Sequence, residues 1–138
     1  MSTNTKPVTD QSFAVDVIEA SKTGPVLVDF WATWCGPCRA ENPNLVKAYN
    51  TYKDKNFTIL GISVDELSKK AAWIQAIKTD GLIWPQVSDL LGLNNQAAMV
   101  YGIRAIPQNF LVDPNGVIVA KNLRGEELAK KLEMILSK

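Results

Sequence analysis

Two cysteines, Cys35 and Cys38, are the only thiols in a 138-residue chain that has no histidine. They lie two residues apart in the stretch Trp34-Cys35-Gly36-Pro37-Cys38. Several chemistries compete for such a pair. A structural zinc takes about four ligands, and with no histidine present carboxylates would have to complete the set. A disulfide across two residues closes a very small loop and removes little unfolded-state entropy, so it makes a poor staple. Two inert core thiols are the plainest alternative, since free cysteine is often buried. The neighbouring sequence favours a redox pair. An apolar run comes before the cysteines and a helical stretch comes after them, the setting in which C-x-x-C reads as a dithiol-disulfide motif. Cys35 falls at the helix N-terminus, where unpaired backbone N–H groups and the positive end of the helix dipole stabilise a thiolate. Cys38 is one turn further in and close enough to attack a mixed disulfide on Cys35. Gly36 permits a tight turn, and Pro37 suits a first helical turn, where its missing N–H does no harm. The predicted roles are Cys35 as nucleophile and Cys38 as resolving thiol.

Such a pair needs a frame, and the rest of the chain reads as one. Thr9-Asp10-Gln11-Ser12 caps an amphipathic helix with Phe13, Val17 and Ala20 on one face, ended by Gly24-Pro25. Val26–Trp31 is apolar almost throughout, as a strand buried on both faces would be. A helix follows over about 36–54, with Pro43 inside it, where a kink is expected. Phe57–Val64 reads as a second buried strand. The spacing predicts a helix over 66–79 with Leu67, Ala71, Ile74 and Ile77 on one face. Trp84–Val87 reads as a short strand and Gln96–Tyr101 as a short helix. Asn109–Val112 and Val117–Ala120 are strands joined by Asp113-Pro114-Asn115-Gly116, a hairpin turn signal. A last helix carries Leu128, Leu132, Ile135 and Leu136. Alternating strands and helices, then a hairpin and a closing helix, predict a three-layer α/β/α sandwich around a central mixed sheet. The length predicts one domain over residues 1–138.

Charge and hydropathy narrow the function. Fifteen basic and fourteen acidic residues leave a net charge of +1 without a like-charged run, so no nucleic-acid surface is expected. The apolar runs fall far short of a membrane span. The opening residues, MSTNTKPVTDQS, have no apolar core of the kind a secretory signal needs. The expected setting is the cytoplasm or, for an excised domain, the extracytoplasmic side of a membrane.

Three motifs together carry a family resemblance. VLVDFWATWCGPC, residues 26–38, resembles the active-site segment of the thioredoxins. YGIRAIP, residues 101–107, resembles the thioredoxin segment that ends in a cis-proline, and Pro43 matches the proline that kinks the active-site helix. The resemblance covers the whole chain and implies a thioredoxin fold and a dithiol-disulfide oxidoreductase. It implies that Asp29 is the family's buried aspartate, and the physical reading agrees: a lone carboxylate in a buried strand has a raised pKa and can exchange a proton with Cys38. The competing reading is a strand-end aspartate reaching water. The resemblance also makes Pro107 a cis-proline facing the cysteines. That would leave the Ile106 backbone free to pair with an extended substrate segment. Gly36, Pro37 and Trp34 fall on the expected substrate-facing surface. Trp31 and Pro43 are expected to support the structure, Trp31 by core packing.

The later sequence resembles a different branch. CRAENPNLV, DLLGLNNQAAMVYGIRAIP and DPNGVIVAKNLRGEEL are similar to the TlpA/ResA group, as is a helix-strand insertion at about 66–95. That group usually starts with a β-hairpin, whereas this chain opens as ordinary thioredoxins do, so it reads as a hybrid of the two. Gly61 stands where many thioredoxins carry a lysine, and Gln108-Asn109 where threonine and an apolar residue are commoner. The insertion is also similar to one in peroxiredoxins, but Ala32 and Val28 replace the threonine and proline that a peroxidase of that type requires. The expected activity is therefore reduction of protein disulfides. A thiol peroxidase, a disulfide-forming oxidant or isomerase, and a non-catalytic binding module are the alternatives. Expected partners are disulfide-containing proteins and an upstream reductase or membrane thiol carrier. The thiols carry the electrons, so no bound cofactor or metal is expected, and the chain is expected to act as a monomer.

Overall fold

A computed structural model describes residues 5–6 and 24–136. The helix expected over Thr9–Ala20 lies outside the described residues. Six strands form one sheet in the order β1-β4-β3-β2-β5-β6. They are β1 (Thr5–Lys6), β2 (Val26–Trp31), β3 (Thr58–Ser63), β4 (Gln86–Val87), β5 (Gln108–Val112) and β6 (Ile118–Lys121). The pairs β1/β4, β4/β3 and β3/β2 are parallel, while β2/β5 and β5/β6 are antiparallel. The helices are α1 (Gly36–Tyr52), α2 (Lys70–Asp80), α3 (Gln96–Val100) and α4 (Gly125–Leu136). This mixed sheet with helices packed against it is a thioredoxin-like fold.

The centre of the sheet positions the dithiol. All six residues of β2 are buried, which explains why this strand is apolar throughout except for Asp29. Val26–Trp31 pairs in register with Thr58–Ser63 on one side, and Val26–Phe30 pairs with Val112–Gln108 on the other. A strand fixed along both edges cannot slip without turning its side chains to the opposite face. The turn at its C-terminal end is therefore held to a fixed place. Pro43 lies inside α1, as expected, and is exposed. The β5–β6 turn closes as its sequence predicts: Asp113 Oδ1 accepts from the N–H groups of Asn115 at 2.9 Å and Val117 at 3.0 Å. Gly116 takes a φ of 79° there, which L side chains rarely adopt.

The insertion corrects one expectation. Leu67 lies in a 3-10 turn, Leu67–Lys69, and is 71% exposed. Ala71 is exposed as well. The buried face of α2 is instead Trp73, Ala76 and Ile77, with Ile74 partly buried. The tighter 3-10 turn breaks the 3.6-residue period before α2 starts. The stripe is then set by Trp73, whose side chain offers the largest apolar area on the helix.

Candidate active site

Cys35 caps α1. Its backbone is extended, with φ −90° and ψ 104°, its carbonyl accepts from Arg39 N–H at 3.0 Å, and its Sγ accepts from Cys38 N–H at 3.2 Å. This N–H is one of the orphan donors of the first helical turn, and it points at the sulfur on which a thiolate would form. Cys35 and Cys38 are joined as a disulfide, with Cα atoms 5.2 Å apart. Both are buried, Cys38 slightly more than Cys35, while Trp34, Gly36 and Pro37 around them are exposed. The Ile106–Pro107 peptide is cis. The Ile106 carbonyl oxygen lies 3.8 Å from Cys35 Sγ. In the disulfide this is a contact without a proton; a reduced Cys35 has an S–H to donate across it. The structure thus gathers Trp34, Cys35, Gly36, Pro37, Ile106 and Pro107 around one sulfur.

Asp29 is 5% exposed. It stands in the centre of the sheet, opposite Gly61 on β3 and Asn109 on β5. No hydrogen bond reaches its carboxylate among the described residues. Burial pushes its pKa from 3.8 up to about 8; the charge of Glu41 adds to the rise, and that of Arg124 opposes it. Trp31, 1% exposed, packs in the core and donates its Nε1–H to Gln86 Oε1 at 3.1 Å. Gly61 gives Gln86 its room, because a Cβ at position 61 would lie 2.2 Å from Gln86 Oε1.

The AhpC/TSA family profile matches residues 5–121, most of the chain. The chain belongs to the AhpC/TSA family. Within it, the sequence is 32% identical over 113 residues to the thiol-disulfide oxidoreductase ResA of Bacillus thuringiensis, covering 82% of this chain and 62% of that protein. The chain thus spans less than two thirds of the length of the ResA proteins it matches. It is 35% identical over 106 residues to a thioredoxin of Mycobacterium tuberculosis, covering 74% of this chain and 89% of that protein. Both branches that the sequence resembles are therefore among its relatives. Among solved structures, the thioredoxin domain of a Bacteroides vulgatus thiol-disulfide oxidoreductase superposes with a TM-score of 0.77 at 41% identity, covering 86% of this chain and 83% of that one. A thiol-disulfide oxidoreductase from Bacteroides fragilis gives the same TM-score of 0.77 at 41% identity, with 83% of each chain covered.

In this AhpC/TSA chain the turn before the dithiol is held from two sides. Thr33 donates its backbone N–H to Asp65 Oδ1 at 3.2 Å and its hydroxyl to the same oxygen at 2.8 Å. Its carbonyl accepts from Arg39 Nη1 at 3.3 Å. Arg39 also forks onto Asp80 of α2, through Nε and through Nη2 at 2.9 Å. The insertion is thus fastened to the first turn of α1. On the other flank, Glu41 Oε2 accepts from Gly125 N–H at 2.8 Å. Asn109 grips the Leu123 backbone, donating to its carbonyl at 2.8 Å and accepting from its N–H at 2.9 Å. Asp65, Gln86, Glu41 and Arg124 are absent from the residues that the sequence pointed to. Glu41 carried a usable signal, since it lies three residues after Cys38 and thus on the same helix face. The other three meet the site only through tertiary contacts and gave none.

Proposed function

We propose that this protein is a thiol-disulfide oxidoreductase that reduces disulfides in other proteins. The observation that carries the reading is Cys35 Sγ at the helix N-cap, accepting Cys38 N–H beside the cis-Pro107 segment. In the reduced form the Cys35 thiolate attacks one sulfur of a substrate disulfide. A Cys35–substrate disulfide forms and the first substrate sulfur leaves as a thiolate, which takes up a proton. Cys38 then gives its proton to Asp29 and attacks Cys35 Sγ. The Cys35–Cys38 disulfide forms and the second substrate sulfur leaves, again taking up a proton. Two electrons and two protons pass to the substrate in all. Asp29, with a pKa of about 8, has its ionised, proton-accepting form populated in roughly one molecule in ten at pH 7. The Ile106 backbone aligns an extended substrate segment next to Cys35, with Trp34, Gly36 and Pro37 as the remaining contact surface.

No cofactor enters this cycle. An upstream reductase or a membrane thiol carrier must return two electrons to the pair after each turnover. The partners are disulfide-containing proteins, and the chain acts as a monomer. Support for the reducing direction comes from the Gly-Pro dipeptide between the cysteines, which resembles that of reducing thioredoxins, and from the thioredoxin among its relatives. Ala32 and Val28 in place of the peroxidase threonine and proline weigh against a peroxidase. The reduction potential of the pair, set in glutathione or dithiothreitol buffers and read by mass spectrometry, tests the direction. A value near the ~−270 mV of thioredoxin is expected. A value near ~−120 mV would make the protein an oxidant that forms disulfides instead.

A further inference from the structure

The loop 122–125 has no part in the cycle above, yet it touches three parts of the site at once. Its Leu123 backbone is gripped by the Asn109 amide on β5, at 2.8 and 2.9 Å. The Asn122 N–H donates to the Asn109 carbonyl at 2.8 Å. Its Gly125 N–H donates to Glu41 Oε2 on α1 at 2.8 Å. With those anchors in place, the exposed Arg124 reaches over and donates its Nη2–H to the carbonyl oxygen of Pro107. Pro107 follows Ile106, whose own carbonyl lies 3.8 Å from Cys35 Sγ.

We infer that Arg124 is a positioning residue that holds the Pro107 carbonyl, one residue past the Ile106 carbonyl that faces Cys35, and presents its positive charge to Asp29, tying the grip on substrate to the proton carrier. The electrostatic half rests on Asp29 being that carrier. The surroundings of Asp29 leave little else to play this part. β3 supplies Gly61 and β5 supplies Asn109, neither of which ionises. α1 carries Glu41, whose charge raises the Asp29 pKa, and Cys38, with Cys35 at its N-cap. Arg124 supplies the opposing cation. Its guanidinium suits both duties: it stays charged throughout the working pH range, and its planar fork directs a donor at a fixed carbonyl.

The test follows the Asp29 carboxyl carbon by NMR in 13C-labelled oxidised protein, with Asp29→Asn to assign the signal, alongside steady-state reduction of a disulfide protein. Because Arg124 is exposed, Arg124→Gln and Arg124→Lys leave the core intact. In Arg124→Gln the Asp29 midpoint is expected to move upward and KM to rise several-fold. Arg124→Lys is expected to return the midpoint but only part of the KM, since lysine restores the charge without the fork. The upward shift is expected to shrink at high salt, which a purely structural role would not produce. A wild-type midpoint near 8 that stays put in Arg124→Gln overturns this inference and leaves the reading of Asp29 standing. A shifted midpoint with unchanged KM overturns it too, because the bond to Pro107 would then be idle. A wild-type midpoint in the ordinary carboxylate range overturns the reading of Asp29 itself, and the charge role of Arg124 with it.

Discussion

Asp29 and Asp65 are both buried aspartates, 5% and 0% exposed, and the fold treats them in opposite ways. Asp65 collects donors. Thr33 gives it a backbone N–H and a hydroxyl, Ser63 gives it a second hydroxyl, and its own N–H returns to Ser63 Oγ at 2.9 Å. Asp29 receives no hydrogen bond among the described residues, and burial is the largest cause of the rise of its pKa to about 8. A buried carboxylate with its lone pairs satisfied is a structural node. One left without donors has a perturbed pKa, which suits it to the proton-accepting role proposed above. The difference lies in their neighbours, because the residue type and the burial are shared.

That contrast can be broken most sharply at Asp65. Asp65→Ala leaves three buried or half-buried donors without an acceptor and is expected to cost about 3–5 kcal/mol of stability, read by chemical denaturation. A loss below ~1 kcal/mol would remove the contrast, since Asp65 would then do no more than Asp29 for the fold. Asp29→Asn is expected to act the other way. Between 3.8 and about 8 the native state holds a proton that the unfolded chain has released. Stability contributed by this group is therefore complete below the lower value and falls as pH rises to the upper one. The slope is about 1.4 kcal/mol per pH unit. Asn abolishes that slope, so the variant is expected to be as stable as the parent at pH 4 and more stable by a few kcal/mol at pH 8. The same change is expected to slow resolution of the mixed disulfide by roughly 10²-fold, measured by stopped-flow. Equal slopes for parent and variant would show that Asp29 is ionised in the folded protein.

The smallest effect concerns the second tie on Thr33. Asp80→Ala releases Arg39, whose side chain is 33% exposed against 16% for Asp80. Solvent screens that pair, but the buried Asn42 Nδ2, which donates to Asp80 at 2.8 Å, also loses its acceptor, so the loss is expected to be about 1–3 kcal/mol. If Arg39 matters as an anchor of the turn, exchange with a protein disulfide slows a few-fold as well. An unchanged rate would leave Asp65 as the sole anchor of Thr33.

Legibility in the sequence followed the range of the interaction. The strand Val26–Trp31, the helix opening at Gly36 and the turn Asp113–Gly116 were readable because each is set by neighbours along the chain. That Asp29 would be buried followed from the apolar run on either side of it. The buried face of α2 departs from the sequence pattern because Leu67 falls at the spacing of a helical stripe, although the backbone there is a 3-10 turn. Asp65, Gln86 and Arg124 went unseen for a different reason. Each acts on a partner far away in the sequence: Thr33, Trp31 and Pro107. No local pattern marks an aspartate that will meet three donors or an arginine that will reach the carbonyl of a residue in another loop.

Gly61 and Gln86 also bear on how such a sequence can change. A side chain at 61 would run into the amide of Gln86, which is fully buried and is the acceptor for Trp31 Nε1. Moving that amide leaves the indole donor of Trp31 unmatched, a cost of about 1–3 kcal/mol. The two positions are thus locked in order. Residue 86 has to shrink before residue 61 can grow, and the lysine that many thioredoxins carry at the latter place is reachable only along that path. The two positions, on neighbouring strands, are therefore coupled: enlarging residue 61 alone is expected to be damaging, and less so once residue 86 is smaller.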